Sequence, residues 1–197
     1  MPRPMRKDLH LRTAVIKNLT AIYRNDPQTL IVEEMSVREG RSRIDVAVVN
    51  GTLDGFELKS DRDRLDRLAR QSEIYGAVFD RMTLVVGPRH ERQAARMIPD
   101  WWGCRTDRAA GRRKTRFAHD PAAPDESSPD ALAIAELLWR DEALSVLIEL
   151  GHASGVLSKP RTHIHRRLAE VSDLAFLQYR VRDRLRHRAD WRCEPRN

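Results

Sequence analysis

Apolar side chains first recur at helical spacing, at Leu11, Val15, Leu19 and Ile22. With Asp8 as a cap and Asn25-Asp26-Pro27 as a terminator, the spacing predicts a helix over 8–24 whose polar face carries Arg12 and Lys17. The period then shortens to two. Alternation from Thr29 to Val37, a turn at Gly40-Arg41-Ser42, an apolar run from Arg43 to Val49, a second turn at Asn50-Gly51 and a run from Leu53 to Lys59 predict three strands. After Ser60-Asp61 the stripe Leu65, Leu68, Ser72, Tyr75 and Phe79 predicts another helix. Met82 to Val86 is apolar throughout and reads as a central strand covered on both faces. A helix from about His90 to Met97 and a short strand near Trp101 to Cys104 complete this half.

Beyond it only helical signals follow: Leu132 to Leu150 ending at Gly151, Thr162 to Val171, and Leu174 to His187 with Leu174, Leu177, Val181 and Leu185 on one face. Between the halves, Asp120 to Asp130 is rich in Pro, Ala, Ser and Asp, which is linker chemistry. The pattern predicts a core over 1–119, a linker over 120–130 and a helical accessory region over 131–197. The fold class is α/β, a mixed sheet flanked by helices with an all-helical carboxy-terminal region.

Charge narrows the partners. The formal net charge is +7 with pI near 10.0, which favours a polyanion. Residues 1–120 hold 24 Lys or Arg against 17 Asp or Glu, and residues 121–197 hold 12 against 12, so the attraction lies in the first part. The densest run is Arg105, Arg108, Arg112, Arg113, Lys114 and Arg116, read as a basic loop that contacts phosphate without reading sequence. The two cysteines, Cys104 and Cys193, lack a C-x-x-C partner, and a reducing, cytoplasmic setting is expected. No apolar span is long enough to cross a bilayer, so no membrane partner is expected.

The chemistry concentrates in the strands. Glu57 and Lys59 alternate on one face of the third strand, and Asp45 lies on the strand before it. Two carboxylates about 4 Å apart would repel by roughly 4 kcal/mol at an effective dielectric near 20. That is a large share of the roughly 5–15 kcal/mol that stabilises a domain, so such a pocket needs a cation. Lys59 alone would serve, and the oxygens also suit Mg²⁺ with open water positions, which points to phosphodiester chemistry. The bland reading is a cross-paired solvent face, ordinary in a chain that is 33% charged. Glu33 and Glu34 are adjacent on a strand, so only one of them can face this pocket. Gln71 and Tyr75, four apart on the following helix, share a face.

Arg-Ile-Asp-Val-Ala-Val-Val around Asp45, Gly-Phe-Glu-Leu-Lys-Ser around Glu57 and Lys59, and Gln-Ser-Glu-Ile-Tyr from Gln71 to Tyr75 together resemble the PD-(D/E)XK nuclease superfamily. The likeness is to its RecB-like branch with a Q-x-x-x-Y motif and covers about residues 8–105. The whole chain also resembles a bacterial and prophage group in which this core precedes a helical region. Ile44 stands where many members have proline. The resemblance implies a restriction-endonuclease-like core and a metal-dependent deoxyribonuclease, a hydrolase that cleaves DNA with Mg²⁺-activated water, Mn²⁺ substituting. By that likeness Asp45 and Glu57 would ligate the metal with the Leu58 carbonyl, and Lys59 would orient the attacking water. Gln71 would contact the substrate backbone or position the ligands, and Tyr75 would buttress the helix. Glu33 or Glu34 would be an accessory acid, and a homodimer is allowed by analogy. The rivals are a non-catalytic nucleic-acid-binding protein that keeps the fold, and a phage interaction protein. His163 and His165 diverge on a helix and are expected at the surface.

Overall fold

A computed structural model describes residues 6–106 and 129–188. The elements are α1 (Arg6–Ile22), β1 (Leu30–Val37), β2 (Ser42–Val49), β3 (Leu53–Lys59), α2 (Leu68–Gly76), β4 (Arg81–Val86), α3 (Glu91–Ala94) and β5 (Gly103–Thr106). Four helices follow: α4 (Ala131–Ala135), α5 (Arg140–Glu149), α6 (Arg161–Val171) and α7 (Leu174–His187). The sheet has five strands in the order β1-β2-β3-β4-β5. The first three form an antiparallel meander, and β4 and β5 add in parallel after helical crossovers, giving a mixed α/β sheet.

Each sheet face buries a different set of side chains. Leu11, Val15 and Leu19 of α1 cover Val46, Val48, Phe56 and Val85. The opposite face, with Ala47, Val49, Leu53 and Leu84, packs on Tyr75 and Phe79 of α2 and its exit turn, and on Ile134, Leu168, Leu177 and Val181 from the later helices. The helices after 131 therefore share one continuous core with the sheet. Gly55 is required at this interface, because a Cβ there would lie 2.3 Å from Met82 Sδ and 3.1 Å from the Phe79 ring.

Several boundaries depart from the sequence pattern for identifiable reasons. The segment before α2 is a series of turns, with Asp63 accepting from the Ser60 N–H at 2.6 Å, so Leu65 reaches the core from a turn and the helix begins at Leu68. The long apolar stretch from Leu132 breaks into α4 and α5. Glu142 accepts from the Trp139 N–H at 2.7 Å and starts a new helix, while Arg188 stacks over the Trp139 ring at 4.4 Å. Trp101 and Trp102 precede β5 and are buried, Trp102 stacked on Tyr75. His165 is a correction. It is fully buried, its Nε2 lies 3.0 Å from the Leu138 carbonyl oxygen, and burial pushes its pKa down, whereas His163 is exposed.

Of the linker expected at 120–130, residues 120–128 lie outside the described residues, and Asp130 caps α4 by accepting from the Ala133 N–H at 2.7 Å. Residues 189–197 also lie outside them, as do Arg108, Arg112, Arg113, Lys114 and Arg116. Arg105 sits on β5 opposite Val85. Among the described residues no helix is long and apolar enough to cross a membrane.

Candidate functional site

The site forms where β2 and β3 part. Their ladder runs from Val49 and Leu53 to Val46 and Phe56 and then stops, one residue short of Asp45 and Glu57. The freed Leu58 N–H donates instead to Asp45 Oδ2 at 2.9 Å, so the aspartate acts as a side-chain substitute for the missing strand partner. On the other flank, Glu34 takes a left-handed backbone (φ 57°), and the β1–β2 ladder skips Glu34 and Asp45. Across that lapse Arg12 of α1 reaches in, pairing with Glu34 and, at 2.7 Å, with Asp45 Oδ1. Arg43 also pairs with Glu34. Of the two adjacent glutamates, Glu34 is thus tied to the site, while Glu33 stays exposed and pairs in the ladder with Val46.

Glu57 is 2% exposed and Lys59 7%. Glu57 Oε1 accepts from Lys59 Nζ at 2.6 Å and from Gln71 Nε2 at 2.7 Å, and Oε2 lies 3.0 Å from Tyr75 Oη. The Tyr75 hydroxyl is also 2.9 Å from the Arg43 carbonyl, so its one proton serves two acceptors, while Ser42 and Gln71 donate to it. Burial, with Glu57 alongside, pushes the tyrosine pKa well above its ordinary value. Burial and the charge of Glu57 also push Asp45 up to about 6, against the pull of the Leu58 N–H, Arg12 and Lys59. Gly87 ties the end of β4 to Lys59. Its N–H donates to the Lys59 carbonyl at 2.8 Å, and a Cβ there would lie 2.2 Å from the Asp61 carboxylate.

The structure thus brings Asp45, Glu57, Leu58, Lys59 and Gln71 to one open cleft of about 450 Å³, with Tyr75 behind them. Sequence reasoning did not assign Arg12, Arg41, Arg43, Arg67 and Arg70, which line the same cleft. A signal for two of them exists: Arg67, Arg70 and Gln71 lie at three- and four-residue spacing just ahead of Tyr75 and share a helix face. Arg41, Arg67 and Arg70 are exposed, and none forms an ion pair among the described residues. A larger cavity of about 590 Å³ lies across the β1–β2 hairpin against α4 and α6, where Glu39 is matched by Arg161, Glu136 by Arg38 and Glu34 by Arg12 and Arg43, while Glu33 stands exposed at its edge.

Comparison with known proteins then decides the family. The model of the family described as bacteriophage P4 protein cII matches residues 1–190. The chain belongs to that family. A curated relative, protein cII of Enterobacteria phage P4, is 37% identical over 68 residues, covering 34% of this chain and 26% of the relative. The match thus spans about a quarter of that relative's length. No solved structure matches the chain.

This membership corrects the nuclease assignment. The family is that of a phage protein and not the PD-(D/E)XK superfamily, so the reading as a Mg²⁺-dependent deoxyribonuclease and hydrolase does not stand. The physical counterpart is visible in the cleft. The motif residues meet, yet all four carboxylate oxygens of Asp45 and Glu57 are already engaged by donors, two of which are cations. Three short motifs on two strands and a helix describe this self-neutralised network as well as they describe a metal site. Among the described residues no three His, Cys, Asp or Glu side chains gather in one place to hold a metal, so the two carboxylates meet only these protein donors.

Proposed function

We propose that this phage-family protein binds nucleic acid in the cleft between α1, α2 and the β1–β2 hairpin, and does not cleave it. The observation that carries the reading is the division of charge within the cleft. The Asp45 and Glu57 carboxylates on the floor are held by Arg12 and Lys59, and Asp63 is turned to the Ser60 N–H, which leaves Arg41, Arg67 and Arg70 at the mouth without an ion pair among the described residues. A phosphate backbone is a strong ligand for exposed guanidiniums, and the neutralised floor removes the repulsion that two bare carboxylates would impose on it. Beyond the mouth a second hollow of about 380 Å³ shares Arg41 and Arg70 with the cleft, but it also holds Glu73 and Asp130, and its Arg38 is paired with Asp130 and Glu136, so the phosphate contacts are assigned to the cleft mouth. On this reading the core keeps a restriction-endonuclease-like sheet arrangement as a binding scaffold, and the protein works in the cytoplasm.

The test is a salt series of fluorescence anisotropy titrations with labelled duplex DNA. Each lost phosphate contact flattens the plot of log affinity against log salt by about 0.9. The combined variant Arg41→Ala/Arg67→Ala/Arg70→Ala is expected to bind more weakly with a slope shallower by about 2 to 3. An unchanged slope removes the cleft from the interface.

A further inference from the structure

The second half of the chain carries its own unspent positive charge. Helix α6 buries Ile164, His165 and Leu168, which fixes its rotation and turns Thr162, His163, Arg166 and Glu170 to solvent, with Arg167 half-exposed beside them. Lys159 stands exposed just ahead of it. Among the described residues Lys159, Arg166 and Arg167 form no ion pair, even though Glu170 lies one turn beyond Arg166. Neighbouring α7 shows the opposite habit. Arg180 and Arg184 are held by Glu149, Arg182 by Asp80 and Arg188 by Glu142. Glu149, Glu142 and Asp80 are therefore engaged by the arginines of α7 and its cap, and none of them pairs with α6.

The basic face is also held in place. The Arg140 guanidinium donates to the Leu157 carbonyl at 2.6 Å and the Lys159 carbonyl at 3.3 Å, which fixes the loop leading into α6. Arg161 pairs with Glu39 at 3.3 Å, and His165 is anchored on Leu138. Glu39 belongs to the β1–β2 hairpin, two residues before Arg41 at the cleft mouth, so the first turn of α6 and the cleft flank one hairpin.

We propose that the exposed face of α6, together with Lys159, is a second phosphate-binding surface for nucleic acid. The inference rests on the nucleic-acid reading of the cleft and extends it across the hairpin to the helical region. Because the backbone carrying these cations is already fixed, only their side chains need be ordered on meeting a polyanion, and they contact its phosphates without selecting sequence.

The experiment compares three full-length proteins on labelled duplex DNA from about 50 to about 200 mM salt, where phosphate contacts dominate the change in affinity. These are the wild type, Lys159→Ala/Arg166→Ala/Arg167→Ala, and the triple arginine variant of the cleft, each checked for folding by circular dichroism. The α6 variant is expected to bind roughly tenfold or more weakly, with a slope shallower by about 2 to 3. If wild type binds, the cleft variant loses affinity and the α6 variant matches wild type in both affinity and slope, the α6 surface is refuted while the cleft reading stands. If wild type binds no nucleic acid at any salt, both fall together.

Discussion

The cleft and helix α7 are both dense in charge, and they spend it in opposite ways. At the cleft, Asp45 and Glu57 are drawn inward and matched by Arg12 and Lys59, while Arg41, Arg67 and Arg70 at the mouth form no ion pair among the described residues. On α7 the arginines themselves are consumed, linking the helix to Glu149 of α5 and to Asp80 ahead of β4, and Arg188 at its C-terminal cap pairs with Glu142. Charge number thus does not distinguish a binding surface from a structural seam. What distinguishes them is which member of each pair is left over once the chain has folded.

The largest effect should come from breaking the buried pair. Lys59→Met leaves Glu57 without its cation and should cost about 3–5 kcal/mol in denaturant unfolding. Adding Glu57→Gln should restore most of that. A loss below about 1 kcal/mol would place Lys59 with ordinary surface charges.

A pH series sharpens the contrast next. Folded Asp45 holds its proton up to about 6 against an ordinary value of 3.8. The native state therefore binds more protons than the unfolded chain across that window. The contribution is fully present below about 4 and is lost as pH rises through about 6, a decline on the order of 3 kcal/mol. Asp45→Asn should abolish that decline, and equal pH profiles for the two proteins would contradict the assignment.

Tyr75→Phe should be milder. It removes the hydroxyl shared by Glu57, the Arg43 carbonyl, Ser42 and Gln71, at a cost of about 1–3 kcal/mol. The smallest effect belongs to α7, where Arg184→Ala breaks a partly exposed pair with Glu149 and should cost under about 1 kcal/mol. A larger loss there would mean that the seam, and not the cleft network, is the more tightly built region.

Much of the architecture was legible because period alone carries it. The strands around Asp45 and Glu57 and helix α7 fall where alternation and the Leu174, Leu177, Val181, Leu185 stripe put them. The break between α4 and α5 was not legible, since it depends on Glu142 and on Arg188 stacking from 49 residues away. Nor was the choice between Glu33 and Glu34. Strict alternation assumes a regular strand, and the left-handed backbone at Glu34 abolishes that assumption locally. The meeting of Asp45, Glu57, Lys59 and Gln71 could be read from spacing, but its use could not. Arg12, which neutralises Asp45, comes from a helix 33 residues earlier, and no local motif reports it.

The central claim is that the cleft holds nucleic acid and leaves it whole. End-labelled DNA incubated with the wild-type protein and Mg²⁺, then split between a native and a denaturing gel, tests both halves at once. The account predicts a shifted band on the native gel and full-length DNA on the denaturing gel. Shortened fragments, or full-length DNA with no shift, would contradict it.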